Sequence, residues 1–122
     1  MKKIIIGLII AGRLMVSTAH ADQTTLLLYN YCKESKPDSI SYCEGHISAW
    51  VDGFVLGAGV VAQKYGKDWE AERSFCLPDS GGPGMQLRLV FVKWVEQNPE
   101  KILLPWDMSV FSAMQASFPC DH

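Results

Sequence analysis

Four cysteines that follow an export-type N-terminus constrain this chain more than any other feature of its sequence. Two lysines, Lys2 and Lys3, precede an apolar stretch, and the tripeptide that ends at Ala21 has the small-x-small pattern of a cleavage site. The sequence therefore predicts a signal peptide over residues 1–21, which delivers the rest of the chain to an oxidising compartment. Four cysteines in a short exported domain predict two disulfides.

The cysteines allow three pairings, and their order along the chain favours one of them. Cys32 falls at the end of the first predicted helix and Cys43 near the start of the second, so a bond between them would close an antiparallel hairpin. Cys76 would then pair with Cys120. None of the spacings resembles the short paired spacings of a zinc site. A free redox or catalytic thiol is the alternative.

The predicted mature chain, residues 22–122, is a single domain by its length. That length excludes a multi-domain enzyme, a dinucleotide-binding fold and a repeat array. The signal segment contains three of the eleven basic residues and none of the thirteen acidic ones, which leaves a net charge of −5 and argues against nucleic-acid binding. Because no second stretch reads as a membrane span, we expect a soluble periplasmic or secreted protein that has no membrane contact after cleavage.

The apolar periodicity predicts an all-α fold, a small bundle of about four helices stapled by two disulfides. A turn over residues 33–38 separates the first two helices, with Ser39 as the cap of the second and Gly66 as its stop. A charged segment, residues 67–74, and a glycine-rich loop, residues 79–84, lead to the third helix. The predicted helices span residues 22–32, 39–64, 85–97 and 105–118.

Each longer predicted helix carries an apolar stripe at spacings of three and four residues, which predicts the face that points into the core. On the second helix the stripe comprises Ile40, Cys43, Ile47, Trp50, Phe54, Ala58 and Val61. On the third helix it comprises Leu89, Val92 and Val95, widened by Leu87, Val90, Phe91 and Trp94. On the last helix it comprises Val110, Phe111, Met114 and Phe118.

The second predicted helix also carries a row of small residues spaced four apart, namely Gly45, Ala49, Gly53 and Gly57. Since an internal glycine costs about 1 kcal/mol of helix propensity, we expect close packing against another backbone to offset that loss. Residues 54–62 are apolar on every side, so this half is buried either by its own neighbours or by another chain. A homodimer would use the interface residues Val55, Leu56, Gly59 and Val60.

Groups that could perform catalysis are sparse in the predicted mature chain. Its histidines are His46 and His122, and a packed or surface role is the favoured interpretation of His46. Glu44 and Asp52 lie eight residues apart, about 12 Å along a helix, and are better explained as a solvated face than as paired carboxylates. We therefore expect neither an enzyme active site nor a bound metal or cofactor.

Several short segments occur in a characteristic order and at characteristic gaps. They are Cys43-Glu44-Gly45-His46-Ile47 with Asp52-Gly53, then Phe75-Cys76-Leu77-Pro78, Met85-Gln86-Leu87, residues 94–100 and Ser117-Phe118-Pro119-Cys120. Together they resemble the Tai/Rap family, the immunity proteins against type VI secretion peptidoglycan amidases. The chain departs from that family's common Pro-Ala at Pro105-Trp106-Asp107 and has a glycine-heavy loop at residues 81–84.

This resemblance implies an all-helical, disulfide-stabilised periplasmic protein, often a homodimer, that binds a toxic amidase and blocks it. Such amidases resemble papain-like cysteine hydrolases that cut the stem peptide of the cell wall. Inhibition would be steric, because a pre-organised surface of the immunity protein covers the active-site cleft.

The surface that meets the amidase is predicted from residue type and exposure alone. Residues 67–73 combine charged side chains, which steer association, with a tryptophan, and tryptophan and arginine are frequent interface anchors. The predicted partner-binding residues are Lys67, Asp68, Trp69, Glu70, Glu72 and Arg73, with Asp79 and Ser80 as the second choice. A solvated connection with Trp69 folded onto the core is the alternative.

Two other classes of function stay open at this point. A periplasmic holdase chaperone would have this size and compartment, and it would expose apolar surface when acidified. A small hydrolase would use one free cysteine beside His46, and it would therefore retain a titratable thiol in the native protein.

Overall fold

The computed structural model describes residues 23–79 and 82–121, and every regular element within these ranges is a helix. The all-α prediction is therefore confirmed, while the predicted signal peptide lies outside the described residues. The elements are α1 (Thr25–Lys33), α2 (Pro37–Lys64), α3 (Trp69–Glu72), α4 (Gly84–Gln97), a 3-10 helix (Pro99–Lys101) and α5 (Trp106–Ser117).

Helix α2 begins two residues earlier than its sequence predicts. Pro37 occupies the first turn, where its fixed φ suits a helix and its missing N–H leaves no bond unmade. Ser39 is therefore not the cap; it lies inside the first turn, and its Oγ donates to Oε2 of Glu34 at 2.6 Å. This bond ties the start of α2 to the residue that follows α1.

Helix α2 ends at Lys64, as predicted, because Gly66 adopts the left-handed conformation with φ of +63°. The N–H of Gly66 donates to the carbonyl of Gln63 at 3.2 Å, and that of Lys67 donates to the carbonyl of Ala62 at 2.8 Å. This is a Schellman ending, which pairs carbonyls that the helix leaves open. It turns the chain back so that α3 packs beside the end of α2.

One apolar cluster forms the core and is built from α1, α2, α4 and α5, with Phe75 from the connecting segment. On α4 the buried residues are Leu87, Phe91 and Val95, spaced four apart. Leu89 was predicted to point inward but is half exposed. It follows the buried Leu87 by two residues, so its side chain projects about 200° away around the helix axis. The buried residues of α5 are Ser109, Val110, Ala113 and Met114, whereas Phe111 and Phe118 are half-buried.

The fully buried residues of α2 lie mainly in its first half, although Phe54 also packs against Phe75 and Phe111. Cys43, Ile47 and Val51 are buried at spacings of four. The predicted stripe missed Val51 because it followed the alternative spacing through Trp50, which is half-buried. It also extended too far, since Val61 is 55% exposed.

Arg88 joins three of the helices. Its Nε donates to Oε1 of Glu44 on α2 at 3.0 Å, and its Nη1 donates to the carbonyl of Cys32 in the last turn of α1 at 3.1 Å. That turn carries unpaired carbonyls and the negative end of the helix dipole, so a cation is favourable there. Both charged side chains are largely covered, which makes this pair better shielded from solvent than an ordinary surface ion pair.

The first turn of α1 is bound to the segment that precedes α5. The N–H of Thr25 donates to the carbonyl of Leu104 at 2.8 Å, and that of Leu26 donates to the carbonyl of Ile102 at 2.9 Å. The fully buried hydroxyl of Thr25 shares a 2.6 Å hydrogen bond with the hydroxyl of Ser109. Neighbouring backbone thus caps α1, whose N-cap residue Thr24 makes no side-chain capping hydrogen bond.

Both predicted disulfides are present. Cys32 pairs with Cys43 and Cys76 with Cys120, with Cα atoms 5.1 Å and 5.0 Å apart. Their partners are separated by 11 and 44 residues, so the chain-entropy account assigns them about 3 and about 4 kcal/mol of stability. No cysteine is left free.

The row of small residues on α2 does not pack closely against any other part of the described chain. A Cβ added at any of its three glycines would meet no atom within 4 Å. The close approach occurs instead at Gly84, where a Cβ would lie 3.1 Å from Cβ of Glu44 and 3.2 Å from Oγ of Ser48. The start of α4 therefore needs a glycine, whereas the row on α2 has no close backbone partner within the described residues.

Alanine substitution separates these two kinds of glycine. We expect Gly84→Ala to lower the free energy of unfolding by about 1 kcal/mol or more, because the Cβ of Glu44 lies on a helix backbone and cannot easily yield. Gly45→Ala should raise it by up to about 1 kcal/mol through helix propensity alone. Urea unfolding of both variants measures the difference, and a stabilised Gly84→Ala protein would contradict the packing described here.

Candidate functional site

The second half of α2 extends beyond the helices that cover its first half. Helix α2 has 28 residues and is about 42 Å long, twice the length of the 14-residue α4. Of the described residues between 52 and 74, only Ala62 is buried. We call residues 52–65 the overhang; Phe54 and Val55 pack against the core, but most of the segment is left uncovered by the described residues. Its large exposed apolar side chains are Leu56 (71%), Val60 (57%), Val61 (55%) and Tyr65 (68%).

The overhang gives α2 the length and apolar composition of a helix that could cross a membrane, and 17% of its most apolar 18-residue window is buried. This corrects the expectation that no second such stretch exists. The first half of the same helix is cross-linked to α1 and paired with Arg88 of α4. Because these contacts hold α2 in the bundle, we interpret the exposed apolar surface as one that contacts protein.

A groove lies between the overhang and α3, with a volume of about 340 Å³. Its α2 wall is apolar and includes Ala58, Val61 and Tyr65, while Trp69 and Lys67 form part of the opposite wall. Helix α3 is held at its start by Asp68, whose Oδ1 accepts from the N–H of Glu70 at 3.0 Å. We call this feature the α2–α3 groove.

Charged side chains surround the groove and pair locally. Nζ of Lys67 lies 3.8 Å from Oε1 of Glu72, and Arg73 pairs with Glu70 one turn away. Within the part of the chain that the structure describes, Nε of Arg73 is buried and has no hydrogen-bond partner. The rim is therefore polar around an apolar floor, which is the usual arrangement of a protein interface.

The predicted partner-binding residues are placed unevenly around this groove. Lys67, Trp69 and Glu72 line it directly, and Trp69 is half-buried, neither folded into the core nor free in solvent. The side chains of Asp68, Glu70 and Asp79 are exposed, and that of Arg73 is half-buried. Ser80 lies outside the described residues. Sequence reasoning missed the contribution of Val61 and Tyr65, although the apolar run that ends in Tyr65 could have indicated it.

Two of the predicted dimer residues, Leu56 and Val60, lie on the side of the overhang that faces away from the groove, whereas Val55 packs against the core cluster. Leu56 and Val60 are exposed, while Val55 and Gly59 are half-buried. Ala58 follows Leu56 by two residues and therefore projects about 200° away from it around the helix axis. The face that carries Leu56 and the α2–α3 groove are thus separate surfaces.

The residues considered for catalysis take part in an ion pair or in disulfides instead, apart from His46. Glu44 pairs with Arg88, so the interpretation of Glu44 as a solvated carboxylate is wrong and a carboxylate pair with Asp52 does not form. All four cysteines are in disulfides, which excludes the thiol hydrolase. Within the described residues no group of acidic, histidine and cysteine side chains is arranged to hold a metal ion.

His46 packs among aromatic rings in the first half of α2. Its ring centroid lies 5.4 Å from that of Tyr42, with the rings stacked, and 4.4 Å from that of Trp106. Burial lowers the pKa of His46 below its ordinary value of 6.5. This agrees with the packed role that its sequence position favours, and His122 lies outside the described residues.

The lowered pKa of His46 predicts a specific loss of stability on acidification. Below pH 6.5 the unfolded chain binds a proton at His46 before the folded protein does, so the free energy of unfolding falls as pH drops from about 6.5 towards the folded pKa. The His46→Gln variant should lose less thermal stability than the wild type between pH 7 and pH 5. Identical losses over that interval would contradict a buried, neutral imidazole, and pH 7 to 8 provides the internal control.

Comparison with known proteins gives one match. A family model described as Rap1a immunity proteins matches residues 24–120, which include every helix described above. No curated protein matches the chain. No solved structure matches it either.

Proposed function

The chain belongs to the Rap1a immunity protein family, and from this premise we propose that it binds a type VI secretion peptidoglycan amidase and inhibits it by covering the active-site cleft. The observation that carries the proposal is the extent of the family match, which runs from Thr24 to Cys120. The amidase is the partner class that the sequence resemblance implies. We assign no catalytic step to the chain itself, in keeping with an immunity role.

Steric occlusion fits the physical character of the molecule. Two disulfides and the Arg88 bridge hold the bundle, so little conformational freedom is lost when a partner docks. The α2–α3 groove offers an apolar floor, a half-buried tryptophan and a charged rim on one surface. We propose that this groove is the surface that meets the amidase.

We propose the periplasm as the compartment in which this happens. Two disulfides are stable in an oxidising compartment, and peptidoglycan is the substrate of the proposed target. The export signal over residues 1–21 would direct the chain there.

We further propose that the face of the overhang carrying Leu56 and Val60 is covered by a second copy of the chain. Two antiparallel overhangs would bury the large side chains of one copy against the small residues of the other. This arrangement would offset the propensity cost of Gly53 and Gly57, which nothing in the described chain offsets. The groove would stay open on the opposite side.

Substitutions in the groove test the inhibitory surface. With a purified type VI secretion peptidoglycan amidase as the target, Trp69→Ala should weaken inhibition of peptidoglycan cleavage by at least about tenfold, because truncating a central anchor commonly costs about 2 kcal/mol or more. Lys67→Ala should slow association. Lys93→Ala, an exposed lysine on α4, is the matched control and should inhibit like the wild type.

The outcomes distinguish this surface from the other classes of function. Full inhibition by Trp69→Ala, with an unchanged melting temperature, would remove the groove from the proposal. A wild-type protein that leaves the amidase fully active, yet prevents aggregation of unrelated proteins at low pH, would favour the holdase chaperone instead.

A charge on the overhang tests the homodimer. Gly59→Arg should convert dimers into monomers, because it introduces a cation between two apolar faces. Gly45→Arg is the matched control, since a side chain at Gly45 also meets open space but lies about 21 Å away along the same helix. Light scattering gives the mass of each variant. A wild type that is monomeric at all concentrations would contradict the second copy.

A further inference from the structure

Four aromatic rings line a small pocket at the end of α2 that is remote from the overhang. Tyr31 comes from α1, Tyr42 and His46 from α2, and Trp106 from the start of α5. The ring centroids of Tyr31 and Tyr42 are 4.7 Å apart, and the series continues through His46 to Trp106. We call this feature the aromatic pocket.

The aromatic pocket is partly open to solvent, and its lining is mainly aromatic and aliphatic, with Gln23 and Thr24 as the polar members. Its volume is about 110 Å³, and Leu27 and Leu28 contribute to its wall. An apolar cavity of about 150 Å³ holds a benzene ring, so this pocket suits a group of alkylammonium size and is too small to enclose an indole or a nucleobase. The proposed function leaves the pocket without a role.

The electrostatic character of the aromatic pocket favours a cation. Among the residues that the structure describes, neither lysine nor arginine lines it. Aromatic faces carry negative partial charge and attract ammonium groups, and the attraction is strongest for tryptophan and tyrosine. A second hollow shares Gln23 and Thr24 with the pocket and is lined by the carboxylate of Asp107.

His46 does not oppose a cation at this place. Burial lowers its pKa, so the imidazole is neutral at pH 7 and adds no positive charge to the wall. The pocket also lacks the cationic donors that an anionic ligand would need for charge-assisted hydrogen bonds. Shape and charge therefore select the same class of ligand.

We propose that the aromatic pocket binds an organic cation, an ammonium group carried on an aliphatic chain. The same chemistry is available from a free quaternary or primary amine and from a lysine side chain of a protein. Because the pocket and the α2–α3 groove lie at opposite ends of α2, this proposal does not rest on the identity of the inhibited enzyme.

A pair of isosteric ligands tests the requirement for charge. Choline and 3,3-dimethyl-1-butanol have the same shape, but only choline is cationic. In NMR titrations at pH 7.5 of protein recovered from the periplasmic fraction, choline should shift the indole N–H signal of Trp106 saturably. The neutral alcohol should bind at least about threefold more weakly, the factor expected for a cation–π contact at a partly exposed site. Equal affinities would overturn the proposal.

Conservative variants test the location. Tyr42→Leu keeps an apolar side chain but removes the aromatic face, and it should raise the Kd for choline at least about threefold. Met85→Leu, at an exposed position on α4 that lines neither the aromatic pocket nor the α2–α3 groove, is the control and should leave it unchanged. Tyr42 and Met85 are 49% and 57% exposed, so neither change removes a core residue. Tyr31→Leu provides a second variant, and unchanged binding by both pocket variants would overturn the proposal.

A third ligand distinguishes the two sources of the cation. Tighter binding of N-acetyl-lysine methylamide than of choline would support the pocket as a site for a lysine side chain of a partner. The reverse order would support it as a site for a free quaternary amine. If neither ligand binds saturably, the aromatic pocket is not a cation site.

Discussion

The mismatch in length between α2 and the helices packed against it determines the shape of this molecule. Three shorter helices bury the first half of α2, and within the described residues most of the second half is left uncovered. A helix that is apolar on all sides would normally be enclosed. Here it is enclosed at one end only, so an apolar surface stays available on the same rigid rod that anchors the core.

Two polar contacts make this one-sided arrangement stable. Arg88 satisfies a carbonyl at the end of α1 and pairs with Glu44 of α2, and Thr25 joins the start of α1 to Ser109 of α5. Each contact lies where helix termini meet, and each leaves few buried polar groups unpaired, which is the condition for a polar contact to stabilise a core. The covered half of α2 is therefore held by directional bonds as well as by apolar packing.

Local signals in the sequence were sufficient to predict the helices, the stop at Gly66 and both disulfides, since each depends on residues close in the chain or on simple elimination among four cysteines. The extent of burial along α2, which depends on where the neighbouring helices end, was predicted incorrectly. Val51 is buried and Val61 exposed because α4 and α5 cover only part of α2, and nothing in a periodic pattern reports where a neighbour ends. For the same reason, the glycine row predicted close packing on α2, whereas the closely packed glycine in the structure is Gly84.

The two cross-linked loops, residues 32–43 and 76–120, leave residues 44–75 between them, and that bridge carries the four large exposed apolar side chains of the overhang. Substitutions in the two cross-linked loops and substitutions in the exposed part of the bridge thus have different effects on the fold. Amino-acid changes between residues 52 and 74 alter the surface offered to other molecules but touch a single buried side chain, Ala62. A protein of this architecture can therefore acquire a different binding surface by substitution while its fold stays the same.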